Sequence, residues 1–463
     1  MSKLKIFCVL AIVALIAAPA FAEVQNVKVS GDLSARWLIR SEYDLDKDNV
    51  VAAGNSANDF LQSTAEVQVD ADLTDNVGTV VRLANQRNWG DQTGMAVGTS
   101  NANAMDVLVD LANVTFKEFF YAPLTVTVGR QDLWFGKGFI IGAKQRDPSA
   151  AITAKEYTVF NSFDAIKATL DFDPWKIDTV YSLIEENTTT RNDDVYLLGT
   201  NIGYKFDSRK GEAEGYFWHK ADRSKLAYPA GTTASTATEK NATEVFGLRG
   251  SLEPVANATL AGELAWQSGT YSTWTMESRG RNAWALDVAG DYNLKDIKWT
   301  PTVGLEYIFY SGEEKTSVGD STGNKWNAWD PIYRGKFDTA IREFQNVYYA
   351  TAMRADNAAV QALDQDSGVT NQQQFIIKGT INPITHLKVD GRFAWFRMDE
   401  AQTVSSASRS KDLGSELDLN LTYDYTEDVS FGLLTAWFFP GKYWLSGQDD
   451  IATDLVGTVK VAF

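Results

Sequence analysis

The strongest constraint on this chain is an alternation of apolar and polar residues that repeats from one short segment to the next. Near the amino-terminus, Val29, Leu33 and Trp37 share one face of such a segment, while Lys28 and Arg36 share the other. This follows because successive side chains of a β-strand point to opposite faces. The pattern recurs along the chain and ends at an aromatic residue, as in outer-membrane barrels. It predicts an all-β fold, a transmembrane antiparallel β-barrel of about 18 strands.

The amino-terminus carries the pattern of an export signal. Lys3 and Lys5 precede an apolar run that ends at a small-residue cleavage pattern, Ala20-Phe21-Ala22. That run is too short to span a bilayer, and no later stretch approaches the roughly 20 apolar residues that a membrane helix needs. We therefore expect residues 1–22 to be a signal peptide and residues 23–463 to form the barrel.

The connections between the predicted strands alternate in length. Turn-forming clusters such as Thr74-Asp75-Asn76 follow the even-numbered strands, and longer polar stretches such as 42–58 follow the odd-numbered ones. Outer-membrane barrels have short periplasmic turns and longer external loops. We therefore expect both termini to lie in the periplasm.

One external loop, residues 312–374, is far longer than ordinary connections between strands. It contains an aromatic, turn-rich stretch that includes Trp326, Trp329, Asp330 and Tyr333. We expect these residues to fold back over or into the pore and to narrow it. The alternative is a loop that lies in solvent on the surface.

The polar face of each predicted strand nominates residues that line the lumen. Opposed acidic and basic rows would form a charged constriction, where pore width and side-chain charge set selectivity. The alternative is a set of polar side chains that hydrate the lumen and pair with their neighbours for stability. The predicted lining residues are Lys28, Arg36, Arg40, Arg82, Lys167, Lys205, Arg249 and Arg392, together with Glu263, Asp287, Glu306, Glu416 and Asp418.

Gly129-Arg130-Gln131, with Trp134 and Gly136, is the first of three stretches in which the chain resembles the alginate-export family of outer-membrane β-barrel porins. It is similar to that family's glycine-arginine-glutamine signature. Trp329 to Tyr333 resembles its aromatic-aspartate-proline motif, and Gly414 to Leu419 resembles its carboxy-terminal segment. The resemblance implies an eighteen-stranded monomeric barrel that passes solutes across the outer membrane. The founding member exports an anionic polysaccharide through an arginine-rich tunnel.

Arg130 requires a separate prediction, because strict alternation places it on the apolar face with Val126 and Val128. The resemblance favours a β-bulge at Gly129 that turns Arg130 into the lumen. We therefore add Arg130 to the predicted lining residues. A position high enough to reach the lipid headgroups is the alternative.

Other classes of protein are disfavoured. The formal net charge of −17 argues against nucleic acid as a partner. The two histidines, His219 and His386, are predicted to lie on opposite sides of the membrane, and no nucleophile, zinc or phosphate motif accompanies them, so we expect neither an enzyme nor a cofactor. Asp44, Asp46 and Asp48 lack the rest of a calcium-binding loop, so no metal site is predicted. A secreted β-sandwich is the alternative fold.

These observations predict an outer-membrane porin of a Gram-negative-type bacterium. Small hydrophilic or anionic solutes, oligosaccharides among them, would pass passively through a polar lumen. Outer-membrane lipid and lipopolysaccharide would surround the barrel. The alternative function is a sleeve or anchor for a periplasmic or surface protein partner, or for polysaccharide-export machinery.

Overall fold

The computed structural model describes most of the chain after residue 25. The described residues are 26–46, 57–90, 107–144, 161–186, 194–206, 208–223, 241–272, 278–313, 325–345, 368–401, 403–404, 407–444 and 446–463. The predicted signal peptide, residues 1–22, lies outside these ranges, as do Asp48 and much of the loop 312–374.

Strands dominate the described residues. In chain order they are β1 (Asn26–Ser41), β2 (Ala57–Thr74), β3 (Val77–Asn88), β4 (Leu108–Phe116), β5 (Leu124–Gln131), β6 (Phe163–Phe172), β7 (Trp175–Glu185), β8 (Val195–Phe206), β9 (Gly211–Asp222), β10 (Asn241–Val255), β11 (Ala258–Ser272), β12 (Ser278–Arg281), β13 (Ala283–Asn293), β14 (Thr302–Tyr310), β15 (Lys325–Trp326), β16 (Gln372–Ile384), β17 (Leu387–Met398), β18 (Thr403–Val404), β19 (Ala407–Ser408), β20 (Asp412–Asp424), β21 (Val429–Pro440) and β22 (Ala452–Ala462).

Eighteen of these strands form a closed antiparallel barrel, as the sequence predicts. Each is paired with the barrel strand before it and the barrel strand after it, and β1 closes the circle by pairing with β22 from Asp32↔Ala462 to Ser41↔Thr453. The short strands β12, β15, β18 and β19 lie outside this circle of eighteen. Within the described ranges, helix is limited to a single turn, Ser208–Lys210, and a π-helix, Ala340–Gln345. None of the helices in the described ranges is long and apolar enough to cross a membrane.

The alternation in the sequence sets which side chains face outward. On β1, Leu33 and Trp37 are 50% and 52% exposed, whereas Leu38 and Arg40 are buried. The outward face is therefore apolar and suits lipid, and the inward face carries most of the charge. Connections alternate in length: β2 and β3 are joined by Asp75 and Asn76 alone, whereas 31 residues, 132–162, join β5 to β6.

The buried core lies inside the barrel. Two segments that follow barrel strands, 132–144 after β5 and 325–345 after β14, contribute Phe139, Ile141, Trp329, Tyr333 and Ile341 to it. They pack against inward-facing residues of the wall, of which Val180, Leu197 and Trp218 are examples. We call these two stretches the first and second inserted segments.

Candidate functional site

The predicted lining residues on the strands, with one exception, lie on the inward face. On β11 and β13, for example, Leu264 and Val288 are 50% and 46% exposed on the outside, whereas Glu263 and Asp287 are 5% and 2% exposed on the inside. The same alternation places inward Lys28, Arg36, Arg40, Arg82, Lys167, Lys205, Arg249, Glu306, Arg392, Glu416 and Asp418.

Arg130 is the exception, and the prediction that it lines the lumen is wrong. Its register with Asp164 on β6 is regular, with no bulge, and the neighbouring pair Val128 and Ile166 is exposed on the outside. The Arg130 Nη1 atom lies 3.4 Å from Asp164 Oδ2, and that carboxylate is 58% exposed. Gly129 accommodates a φ of +119° without shifting the register. Arg130 therefore lies on the outer face, one residue from the end of β5.

The second inserted segment is anchored at Asp330. Gln267 of β11 holds the Asp330 backbone twice, because its Nε2 donates to the Asp330 carbonyl at 2.7 Å and its Oε1 accepts from the Asp330 N–H at 3.0 Å. The Asp330 carboxylate accepts from Thr243 Oγ1 at 3.0 Å and lies 3.7 Å from Arg281 and 3.8 Å from Lys220. Three neighbouring barrel strands and β12 thus hold this one residue.

The other three predicted constriction residues are also buried in contacts. Trp326 stacks on Tyr271 with ring centroids 4.0 Å apart. The Trp329 carbonyl accepts from Thr370 Oγ1 at 2.7 Å. Tyr333 packs edge-on against Phe163 of β6, at 5.5 Å between centroids.

Beyond Tyr333, the second inserted segment carries a buried ionic cluster. Lys336 Nζ lies 2.6 Å from Asp287 Oδ2, 2.5 Å from Glu306 Oε1 and 3.0 Å from Asp338 Oδ2. Arg334 is 1% exposed, and its Nη2 lies 3.0 Å from Glu343 Oε1. The cluster joins the segment to β13 and β14 through charge pairs that are removed from water.

Two inward carboxylates of β20 hold the start of the π-helix. Glu416 accepts the N–H groups of Ile341 and Arg342 at 2.6 and 2.8 Å, and Asp418 accepts the Ala340 N–H at 3.0 Å. These are backbone donors that a helix start leaves without an internal partner. Glu416 and Asp418, predicted as lining residues, are therefore also loop anchors.

Neighbouring charges shift the pKa values of Asp330 and Lys336 in the second inserted segment. Burial raises the pKa of Asp330, but Lys220, Arg281 and the hydrogen bonds from the Ile332 N–H and the Thr243 hydroxyl together lower it by more, so the pKa lies well below its usual range. Burial lowers the pKa of Lys336, but Asp338, Asp287 and Glu306 raise it by more, so it lies above its usual range. Both groups remain charged at neutral pH.

Contacts of the first inserted segment explain why residues 136 and 142 are glycines. A side chain at Gly136 would overlap the Arg249 guanidinium, which itself pairs with Glu214. Gly142 and Gly335 bring the two segments into backbone contact, and Gly335 N–H donates to the Gly138 carbonyl at 2.8 Å. The Gly142 N–H likewise donates to the Tyr333 carbonyl at 2.8 Å.

A cavity of about 580 Å³, which we call the passage because we propose below that solutes move through it, lies between the second inserted segment and the barrel wall. Its cations are Arg36, Arg40, Lys388 and Arg392, and its carboxylates are Asp338, Asp390, Asp418 and Asp454. Phe337 and Phe344 contribute apolar surface.

Several cations of this passage are already engaged. Arg40 Nε lies 3.2 Å from Asp454, Lys388 lies 3.0 Å from Asp390, and Arg392 donates to the Asp338 carbonyl at 2.6 Å. The passage is therefore charged on both sides rather than uniformly basic.

Sequence reasoning missed Arg334, Lys336 and the whole of the first inserted segment. The available signal in the sequence was three cations, Arg334, Lys336 and Arg342, within a span of nine residues that directly follows the aromatic stretch ending at Tyr333. Such a density of cations in an acidic chain indicates carboxylate partners, but it does not identify them.

The fold and the lumen define an outer-membrane β-barrel of the porin class. No curated protein matches this chain. Among solved structures, OccAB1 of Acinetobacter baumannii is 11% identical over 96% of this chain and 98% of its own, with a TM-score of 0.55. OpdQ of Pseudomonas aeruginosa is 10% identical over 96% and 99%, with a TM-score of 0.54. A BenF-like porin of Pseudomonas fluorescens is 11% identical over 95% and 100%, with a TM-score of 0.51.

The chain belongs to the alginate-export family, whose model matches residues 31–457. Family and fold together identify an outer-membrane channel for small solutes, as the sequence predicts.

Proposed function

We propose that this channel passes small hydrophilic solutes, anions included, by passive diffusion, and that the second inserted segment sets its width. The observation that carries the proposal is the passage of about 580 Å³ between that segment and the wall, with Arg36 and Arg392 among its lining residues. Side-chain charge and width at such a constriction determine which solutes pass. Because carboxylates share the passage, we expect a modest preference for anions.

The same proposal includes the orientation of the barrel and its surroundings. We propose that residues 1–22 are an export signal, that the short connections and both termini face the periplasm, and that lipid and lipopolysaccharide contact the outer face. We also infer that the chain is not an enzyme. In support, His386 lies in the short turn between β16 and β17, whereas His219 lies near the carboxy-terminal end of β9, at the other rim of the barrel.

Conductance of the purified protein in planar bilayers tests the proposal. We compare the wild type with a variant in which residues 314–367 are replaced by a short Gly-Ser linker, and with Arg36→Gln/Arg392→Gln. We expect a stable conductance that increases in the deletion variant, and a reversal potential under a salt gradient that moves toward cation preference in the double variant.

A deletion of loop residues 224–240 is the control and should leave the conductance unchanged. An unchanged conductance after removal of 314–367 would contradict the role of the inserted segment. Silence of both the wild type and the deletion variant would favour the alternative, a sleeve or anchor for a partner protein.

A further inference from the structure

An acidic recess opens on the lumen between the first inserted segment and the wall formed by β9 to β13. Its volume is about 430 Å³. Backbone atoms of Gly136, Gly250 and Gly262 form part of its lining. The charged residues of its lining are the carboxylates Glu212, Glu214, Glu263, Asp287 and Asp291 and the cations Lys137 and Arg249.

One carboxylate oxygen of Glu263 accepts a hydrogen bond and the other does not. Its Oε1 accepts from the Tyr216 hydroxyl at 2.7 Å. Its Oε2 is buried and has no hydrogen-bond partner among the described residues, and the side chain as a whole is only 5% exposed. A buried acceptor left without a donor is costly, so such a group in a native protein indicates a missing partner.

Asp287 shows the same division. Its Oδ2 lies 2.6 Å from Lys336 Nζ, whereas its Oδ1 is buried with no hydrogen-bond partner in the described part of the chain. Asp287 also lies directly opposite Glu263 in the pairing of β11 with β13. Like charges in directly opposed positions destabilise a sheet, so the pair favours a cation placed between or beside them.

The cations already present are shared among several carboxylates. Arg249 pairs with Glu214, and Lys336 is divided among Asp287, Glu306 and Asp338. Lys378 bridges Asp291 and Glu306, at 3.2 Å from each. No further side chain within the described ranges donates to the free oxygens of Glu263 and Asp287.

We propose that this recess binds a small primary ammonium ion of the type R–NH₃⁺, with Glu263 Oε2 and Asp287 Oδ1 accepting its N–H groups. An ammonium group supplies both the charge and the donors that these two oxygens lack. A metal ion fits less well, because no group of three or more His, Cys, Asp or Glu side chains in the described residues could hold one. The recess volume of about 430 Å³ accommodates a short alkyl chain.

The site rests on the proposed channel function only because its ligand arrives through the lumen. The lumen would then carry opposite charge preferences on two sides. The recess would select cations on the β9–β13 side, and Arg36 and Arg392 would contact anions near β1 and β17. A solute carrying both charges could then interact with both sides.

The experiment compares two monovalent cations as blockers of the potassium current in planar bilayers: n-butylammonium, which has three N–H donors, and tetraethylammonium, which has none. We expect n-butylammonium to block the wild type and tetraethylammonium to block at least about tenfold more weakly, the loss that accompanies one charge-assisted hydrogen bond.

Glu263→Gln and Asp287→Asn should each weaken the n-butylammonium block by a similar factor. Glutamine at 263 keeps an acceptor for the Tyr216 hydroxyl and removes the negative charge of the carboxylate. The matched control is Asp32→Asn, which also removes an inward carboxylate but lies across the barrel on β1, where it pairs with Lys460. We expect that variant to be blocked as the wild type is.

Equal block by both ions, or equal block of Glu263→Gln and Asp32→Asn, would overturn the site and leave the channel intact. Absence of block in a conducting wild type would overturn it as well. If the wild type does not conduct, the channel proposal fails, and calorimetric titration of the detergent-solubilised protein with each ion still tests the site. Binding of n-butylammonium in preference to tetraethylammonium would support it there.

Discussion

Asp330 connects the chemistry of one carboxylate to the position of a whole inserted segment. Its side chain lies near two cations, Lys220 and Arg281, that come from the wall and from β12. Its backbone is held independently by Gln267. Charge and backbone contacts therefore contribute separately, and a substitution can remove the first while leaving the second.

We predict that Asp330→Asn loosens the second inserted segment. Asparagine keeps an oxygen for Thr243 but leaves Arg281, which is buried, and Lys220, which is partly exposed, without their carboxylate. Breaking a fully buried ion pair from one side costs about 3–5 kcal/mol, which is an upper bound for this partly exposed site. Tryptic cleavage at Arg334 and Lys336 in the folded barrel should become faster. Lys325→Gln, which removes an exposed charge from the same segment, is the control; equal cleavage rates in all three proteins would contradict the prediction.

The depressed pKa of Asp330 also predicts a pH dependence. A carboxylate whose pKa is lower in the folded state stabilises the fold above the pKa of the unfolded state, about 3.9, and that contribution is lost as the pH falls toward the folded value. The difference in unfolding free energy between wild type and Asp330→Asn should therefore be constant from pH 7 to about pH 5 and shrink only in stronger acid. Denaturant titrations in detergent at each pH measure it. A difference that disappears above pH 5 would show that the carboxylate has no such depressed pKa.

For single residues, the sequence predicted which side of the barrel wall a side chain faces better than it predicted which residues that side chain contacts. Facing follows from alternation alone, and strict alternation was right even at Arg130, where the resemblance to a family motif led to the wrong prediction. Partners depend on residues that are far apart in the chain, as Asp330 and Lys220 are. Periodicity contains no information on such contacts, which is why the anchoring role of Glu416 was not predicted.

At the scale of elements, the two inserted segments function as one packed unit. Tyr333 accepts from Gly142 and donates to Ile140, while Gly335 donates to Gly138. A Cβ atom on Gly142 would lie 2.9 Å from the Cα and N atoms of Gly335, which are backbone atoms that cannot rotate away. The close approach of the two segments therefore requires glycine at both positions.

We predict that Gly142→Ala separates the two segments and changes the channel. Overpacking of this kind costs roughly 1–3 kcal/mol. Single-channel recordings should give an altered conductance with greater current noise, because the second segment is held less firmly. Gly457→Ala is the control, since a Cβ atom there meets nothing within 4 Å. Identical recordings for the two variants would rule out this packing role.

The strands themselves were predicted closely, whereas the inward position of the first inserted segment was not predicted. Each of the barrel strands has a segment of alternating residues that predicts it, because a strand with one face in lipid and one in water requires that pattern. The first inserted segment has no such repeat. Its place inside the barrel follows from side chains such as Phe135, which packs on Trp218 at 4.8 Å between ring centroids.

At the scale of the whole molecule, both ends of the barrel sequence lie at the same rim. β1 begins at Asn26 and runs toward the long connection after Ser41, while the last strand returns to the rim of the short turns. There, Ala462 N–H donates to the carbonyl of Asp428, in the turn between β20 and β21, at 2.8 Å.

We predict that this rim faces the periplasm. An epitope tag placed in the long connection 224–240 should be labelled by antibody on intact cells, because it would be external. A tag after Phe463 should be labelled only after the outer membrane is permeabilised. The reverse result would invert the proposed orientation, and immunoblots of both tagged proteins control for expression.

The pairing of β1 with β22 also has a consequence for the order of assembly. Every other barrel pairing joins barrel strands that are successive along the chain, but this one joins the first and the last, and contacts between residues far apart in the chain form slowly. Until it forms, two strand edges with unpaired backbone groups are open to association with other chains. Ring closure is therefore expected to be the kinetic bottleneck of biogenesis, and a translation product truncated before Ala452 would remain an open sheet subject to aggregation and proteolysis.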